Sequence, residues 1–145
     1  MFNKSFGLEQ IISKKARLKL QGRPVFRQQL ADAGGVYNTK EVADLLNISS
    51  DAVRKRAAQG RFLIVRLGEQ TCYPVWQFDD GNIVEHFTDV MIMLDTTSSV
   101  GVVQFFLSYD EDLEQTPIEA LKSGDPDKLA IVEILAKQFN QQVAR

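Results

Sequence analysis

Arg54, Lys55 and Arg56 stand in succession, and Gln59 follows three residues on. These side chains carry donors that meet nucleic acid: arginine pairs with guanine edges, glutamine with adenine edges, and either cation with phosphate. Around them, residues 37–59 read YNTKEVADLLNISSDAVRKRAAQ, which predicts two short helices about a polar turn. If residues 50–59 are helical, Ser50, Asp51, Arg54, Lys55 and Gln59 fall on or near the outer face. Arg56 sits at its margin, and Ala52, Val53 and Ala57 turn inward. Such a helix lies close to its partner and offers a basic, amide-bearing face to a groove. Duplex DNA is the ligand this chemistry predicts. The same pattern also describes an ordinary solvated helical hairpin with surface cations.

Local chemistry sets the helix limits. Asn38 is placed to cap the first helix, with Glu41 three residues on to reach back. Val42, Leu45 and Leu46 then line one face. Asn47-Ile48-Ser49 breaks the pattern, Ser49 or Ser50 caps the second helix, and Gly60 ends it. Residues 61–67, RFLIVRL, are rich in strand formers, Gly68-Glu69-Gln70 is a turn, and Thr71-Cys72-Tyr73 returns. A two-stranded wing is therefore expected directly after the helical pair, with Arg61 and Arg66 available to phosphates. A plain cover over the helices is an equally compatible role for it.

Residues 37–78 resemble the excisionase-like and MerR-like winged helix-turn-helix domains. The resemblance lies in the EVADLL helix, the NISSDAV turn, the GR after the second helix and the VRLG wing. It implies DNA binding and leaves the target sequence open.

Charge is divided along the chain. Residues 1–66 hold 13 Lys+Arg and 5 Asp+Glu, a net of +8; residues 67–145 hold 4 and 14, a net of −10. The overall −2 hides this polarity. A basic half suits a polyanion. An acidic half suits a basic protein partner, simple solubility, or the basic half of a neighbouring subunit placed head to tail. At 145 residues and 44% hydrophobic content, the chain can form one ordinary domain or two small ones. No apolar run approaches a membrane span, MFNKSFGLEQ lacks a signal-peptide core, and the single cysteine forms no internal disulfide. The expected setting is a reducing cytoplasm.

Three segments are expected: a basic helical N-terminal arm (1–35), the winged helix-turn-helix (36–78), and a helical dimerisation or partner-binding domain (79–145). In the arm, Leu8, Ile11, Ile12 and Lys15 give an amphipathic start, and Phe26, Leu30 and Ala33 suggest a second helix ending at Gly34-Gly35. Beyond the wing, Ile83, Phe87, Val90, Met91 and Leu94 recur at helical spacing, predicting a helix over 82–95. Val100, Val103, Phe106 and Leu107 mark the next. Thr116-Pro117-Ile118-Glu119 combines a cap, a proline at the first helical position and a glutamate that returns to the cap. Asp125-Pro126-Asp127 repeats that start. Leu129, Val132, Ala136 and Phe139 then form one stripe, with Ile131 and Leu135 beside it, a wide apolar face to bury against its own domain, a second subunit or another protein.

The order FFLSYDEDLEQTPIEALKSGDPDKLAIVEIL resembles the small C-terminal, toxin-binding domain of Xre/MbcA/ParS-type antitoxins. The likeness rests on the FFLS helix end, the loop to Leu113, the TPIEAL signature and the GDPDKL helix start. That family has a glycine shortly before the TP pair, where this chain has Glu114-Gln115, and its DNA-binding part is usually Xre-like rather than excisionase-like. The resemblance implies a RES-type toxin as partner and often a homodimer. It points to Phe106, Leu113, Thr116, Pro117, Leu129, Val132, Leu135 and Phe139 as partner-binding or dimerisation residues.

Catalysis finds little footing. His86, the only histidine, falls inside a predicted helix with no Cys or acidic pair at metal spacing. Cys72 is a lone thiol without a base nearby in sequence. The run Asp110-Glu111-Asp112-Glu114 lacks the ligand spacing and central glycine of a calcium loop. No enzyme activity, cofactor or metal is expected. The overall expectation is a mainly α protein: a winged helix-turn-helix with a two-stranded β-hairpin wing, plus a small C-terminal helical domain. Three functions compete: a transcriptional regulator resembling a type II antitoxin, a structural plasmid or phage nucleoprotein, and an adaptor that no longer binds DNA.

Overall fold

The computed structural model describes residues 24–95 and 98–143, with side chains from 26 to 139 apart from 96 and 97. Most of the predicted arm, residues 1–23, therefore lies outside the described residues. The chain divides into two compact units, residues 1–76 and 77–145.

The first unit begins with α1 (Pro24–Asp32), which buries Phe26 and Leu30 at i, i+4. Strand β1 (Val36–Tyr37) leads into α2 (Thr39–Leu46). Its start is the expected capping box. Asn38 Oδ1 accepts from the Glu41 amide at 2.8 Å, and Glu41 Oε1 accepts from the Asn38 amide at 2.8 Å. Asn47 stops the helix in the left-handed region (φ 58°), which asparagine tolerates better than most residues. After Asn47, Ile48 and Ser49 comes α3 (Ser50–Ala58), capped by Ser49, whose hydroxyl accepts from the Ala52 amide at 3.0 Å. Gly60, at φ 76°, lets the chain leave: its amide donates to Ala57 O and that of Arg61 to Arg56 O, both at 3.0 Å.

The hairpin is shorter than the sequence suggests and better supported. Residues 61–64 are not strand, so Arg61 stands in irregular chain. Strand β2 (Val65–Leu67) turns through Gly68-Glu69 into β3 (Gln70–Pro74). On its other edge β3 pairs with β1, Tyr37 opposite Tyr73, giving an antiparallel sheet of order β1-β3-β2. The expected two-stranded wing is thus part of a three-stranded sheet. Val65, Leu67, Cys72 and Tyr73 are buried, and Phe62 meets Tyr73 edge to face at 6.3 Å between centroids.

After a 3₁₀ turn (Val75–Gln77), the second unit opens with a hairpin missed at the sequence level, β4 (Phe78–Asp79) and β5 (Asn82–Ile83). The helix expected over 82–95 accordingly starts five residues late, as α4 (Phe87–Leu94). Ile83 belongs to a strand, and His86 is the exposed N-cap residue rather than an interior helical one. Then come α5 (Ser99–Leu107), α6 (Pro117–Ser123) and α7 (Pro126–Val143). Thr116, Pro117 and Glu119 start α6 in the expected capping box. The core forms where α7 packs on α4 and α6, with Phe87 and Phe106 at 4.7 Å and Phe105 edge-on to Phe106 at 5.2 Å. Among the described residues no helix is long and apolar enough to cross a membrane.

Candidate nucleic-acid interface

Helical geometry sorts α3 into two faces. Asp51, Arg54, Lys55, Ala58 and Gln59 follow one another at i, i+3, i+4, i+7 and i+8, and all five are exposed. Val53 is fully buried, and Ala52, Arg56 and Ala57 are half-buried beside it. Burying a valine contributes about 1.5–3 kcal/mol, so Val53 anchors the helix against its unit and fixes which face points out. Ser50 is half-buried at the first turn. The two-face arrangement expected from the sequence is therefore what the helix adopts, with Arg56 on the margin.

Ala58 was not among the expected residues. It lies in the middle of the exposed face, and a methyl there is suited to a thymine methyl. Its position four residues after Arg54 was the available signal; its lack of a polar group hid it.

Two of the cations are oriented by neighbours. Arg54 Nη1 donates to Asp51 Oδ1 at 2.8 Å. Arg66 Nη1 donates to Thr71 Oγ1 at 2.7 Å, and its Nη2 donates to Glu69 O at 3.3 Å. Arg66 and Thr71 are register partners across the hairpin, so the pairing follows from the two-residue turn. Arg66 is exposed on β2 with Val65 and Leu67 buried on either side. Arg61 is exposed just beyond α3. On α2, Lys40 and Asp44 form an exposed i, i+4 ion pair at 3.5 Å.

Cys72 lies buried on β3. Burial pushes its thiol up to about 11; the Arg66 guanidinium opposes the rise and the Glu41 carboxylate adds to it. A thiol held protonated is a small apolar core group. Among the described residues no group of three or more His, Cys, Asp or Glu could hold a metal ion.

The expected partner-binding residues of the second unit divide differently. Phe106 and Val132 are fully buried, Leu113 is 2% exposed and Pro117 is buried. Phe106, Leu113 and Val132, expected at a partner interface, instead fill the interior of their own unit, while Pro117, also buried, keeps an edge on the cleft between α5 and α7. Leu113 is drawn inward by its loop, where Asp110 Oδ1 accepts from the Asp112 and Leu113 amides at 2.9 and 3.2 Å. Thr116 is occupied in capping: its hydroxyl accepts from the Glu119 amide, and its amide donates to Glu119 Oε1 at 2.9 Å. The Thr116 amide, and the Thr116 hydroxyl donating to the same Glu119 Oε1 at 3.0 Å, hold the Glu119 carboxyl below its usual value. Leu129, Leu135 and Phe139 are half-buried and keep accessible surface.

The chain is a mainly helical protein with small antiparallel sheets. No family model and no curated protein matches it. Among solved structures, an NMR structure of Rv2175c is similar, with a TM-score of 0.61 at 16% identity, covering 72% of this chain and 80% of that one. At that identity the likeness speaks for the fold alone.

Proposed function

We propose that the chain is a sequence-specific binder of duplex DNA, with α2, α3 and the β2–β3 hairpin forming a winged helix-turn-helix. The observation that carries this reading is the outer face of α3. Asp51, Arg54, Lys55 and Gln59 are all exposed on it, while Val53 holds the opposite face in the core. In this reading α3 enters the major groove and α2 braces it across a three-residue turn. Arg54, Lys55 and Gln59 meet bases; Ser50 and Arg56 support them; Arg61 and Arg66 meet phosphates. The net +8 of residues 1–66 supports a polyanionic ligand.

The second unit joins subunits or engages a protein, and the assembly is a homodimer, because one short helix reads few base pairs. The resemblance of residues 99–137 to the antitoxin domain favours a transcriptional regulator with a RES-type toxin as partner, working in the cytoplasm. Selection of bound sequences from a random duplex library, followed by anisotropy titration on the winner, tests the DNA reading. The expected result is one enriched motif with a Kd of roughly 10⁻⁸ M or tighter. Equal affinity for every duplex, or no binding at low salt, would remove it.

A further inference from the structure

We propose that a groove on the second unit receives the basic N-terminal segment, residues 1–23, of a second copy of the chain. The proposal does not rest on DNA binding.

The groove lies between the end of α5 and α7 and has a volume of about 280 Å³. Phe105, Pro117, Leu135 and Phe139 line its apolar part, and Tyr109 and Gln138 stand at its edge. Phe105 and Phe139 meet at 5.6 Å with their planes at 65°. Tyr109, 61% exposed, adds an aromatic ring at the edge of the cleft. The loop that follows is acidic. Asp110 belongs to the lining and is held by the two amides it accepts, and Glu111, Asp112 and Glu114 are exposed beyond it.

An occupant must therefore bring apolar side chains for the cleft and cations for the loop. Residues 1–23 bring both. Lys4, Lys14, Lys15, Arg17, Lys19 and Arg23 face a single acid, Glu9, in sequence, and Phe6, Leu8, Ile11 and Ile12 supply apolar bulk. The whole of residues 67–145 carries −10, so attraction acts before contact. A lysine or arginine of the segment would also find the face of the Tyr109 ring. Two copies of the second unit alone would instead bring like charges together. Because segment and groove are different surfaces, the contact is heterologous. It closes into a pair by reciprocal exchange or runs on head to tail.

Sedimentation velocity of the full chain without DNA, over a dilution series at low and high salt, tests the assignment. A labelled synthetic peptide of residues 1–23, titrated into the full chain, tests it independently. Self-association that weakens with salt is expected, as is peptide binding. Tyr109→Ala and Gln138→Arg, both at exposed positions, should each weaken peptide binding and self-association about tenfold. The triple variant Lys14→Glu, Lys15→Glu, Arg17→Glu should lose association while staying folded, with a cooperative melting transition. A monomer at every concentration overturns the proposal. So does peptide binding that both groove variants leave intact, or wild-type association in the triple variant.

Discussion

Asp51 Oδ1 accepts a hydrogen bond from Arg54 Nη1 at 2.8 Å, one helical turn away on the exposed face of α3. The two side chains are 96% and 62% exposed, so the pair contributes at most about 1 kcal/mol to stability. Its consequence is geometric: one guanidinium nitrogen is engaged, which biases the plane in which the remaining donors are presented. Asp51→Ala should leave the melting temperature nearly unchanged. Removing a negative charge should raise affinity for unrelated DNA, while discrimination at the base pair that Arg54 is proposed to read falls about tenfold. Anisotropy with the selected duplex and its single-mismatch variants measures both. Unaltered discrimination would deny Asp51 a positioning role.

Arg54 and Lys55 are neighbours on the same exposed face and should act as separate cations toward DNA. Replacing both by alanine should relax discrimination at the base pairs they meet and lower the slope of log K against log salt by up to about two, since each cation brought against the duplex also displaces condensed counterions. Fold stability should hold, since neither is buried. Val53→Ala is the informative contrast. It should destabilise the unit by about 2 kcal/mol and weaken DNA binding only through loss of folded protein. An unchanged salt slope in the double variant would count against α3 as the DNA-facing helix.

Where structure depends on neighbours in sequence, the residues were readable. The Asn38–Glu41 box, the Ser49 cap and the Thr116-Pro117-Glu119 start each need only a few consecutive side chains, and each forms. Strand β1 was not readable, because Val36 and Tyr37 form a strand only by pairing with Pro74 and Tyr73, far along the chain. The error over 82–95 has a different origin. Ile83, Phe87, Val90 and Leu94 fit a helical stripe, but Asp80-Gly81 is a hairpin signal, and pairing of Phe78 with Ile83 removed the first turn from the helix. On α3 the split between faces was legible because one buried valine and a run of cations leave a single consistent rotation. In the second unit, Phe106 and Val132 were assigned to a partner although they are core. Apolar spacing reports which side of a helix is covered and says nothing of whether the cover belongs to the same unit.

Glu114 occupies the left-handed region at φ 57°, in the loop before Thr116 where the family resembled carries a glycine nearby. An L side chain in that conformation costs roughly 1 kcal/mol, partly offset by the larger unfolded-state entropy of glycine. The Glu114 side chain is exposed, and its amide donates to Asp110 O at 2.8 Å, a bond that glycine keeps. Glu114→Gly should therefore stabilise the second unit by about 0.5 kcal/mol. Glu114→Val, branched at Cβ, should destabilise it by about 1 kcal/mol or more. Denaturant midpoints for the two variants give the comparison. Destabilisation by glycine would show that the loop has no strain to release.

Cys72 gives the alkaline limb of the stability profile a defined sign. Its thiol is raised from 9.0 to about 11, first by burial, with Arg66 opposing and Glu41 adding. The folded state thus keeps a proton that the unfolded chain releases above about pH 9. The unfolded state binds fewer protons in that window, so this group lowers stability as pH climbs from about 9 to about 11 and contributes no slope below it. Cys72→Ala should be less stable at neutral pH because it empties part of the core, yet its stability should fall less steeply between pH 9 and 11. Urea titrations at half-unit pH steps separate the two effects, since the two proteins differ in this one group. At pH 8 the wild-type thiol, 3% exposed, should react with an aqueous disulfide reagent only at the rate at which the unit opens. Rapid labelling of the folded chain, together with parallel alkaline slopes, would place Cys72 at a reactive surface instead.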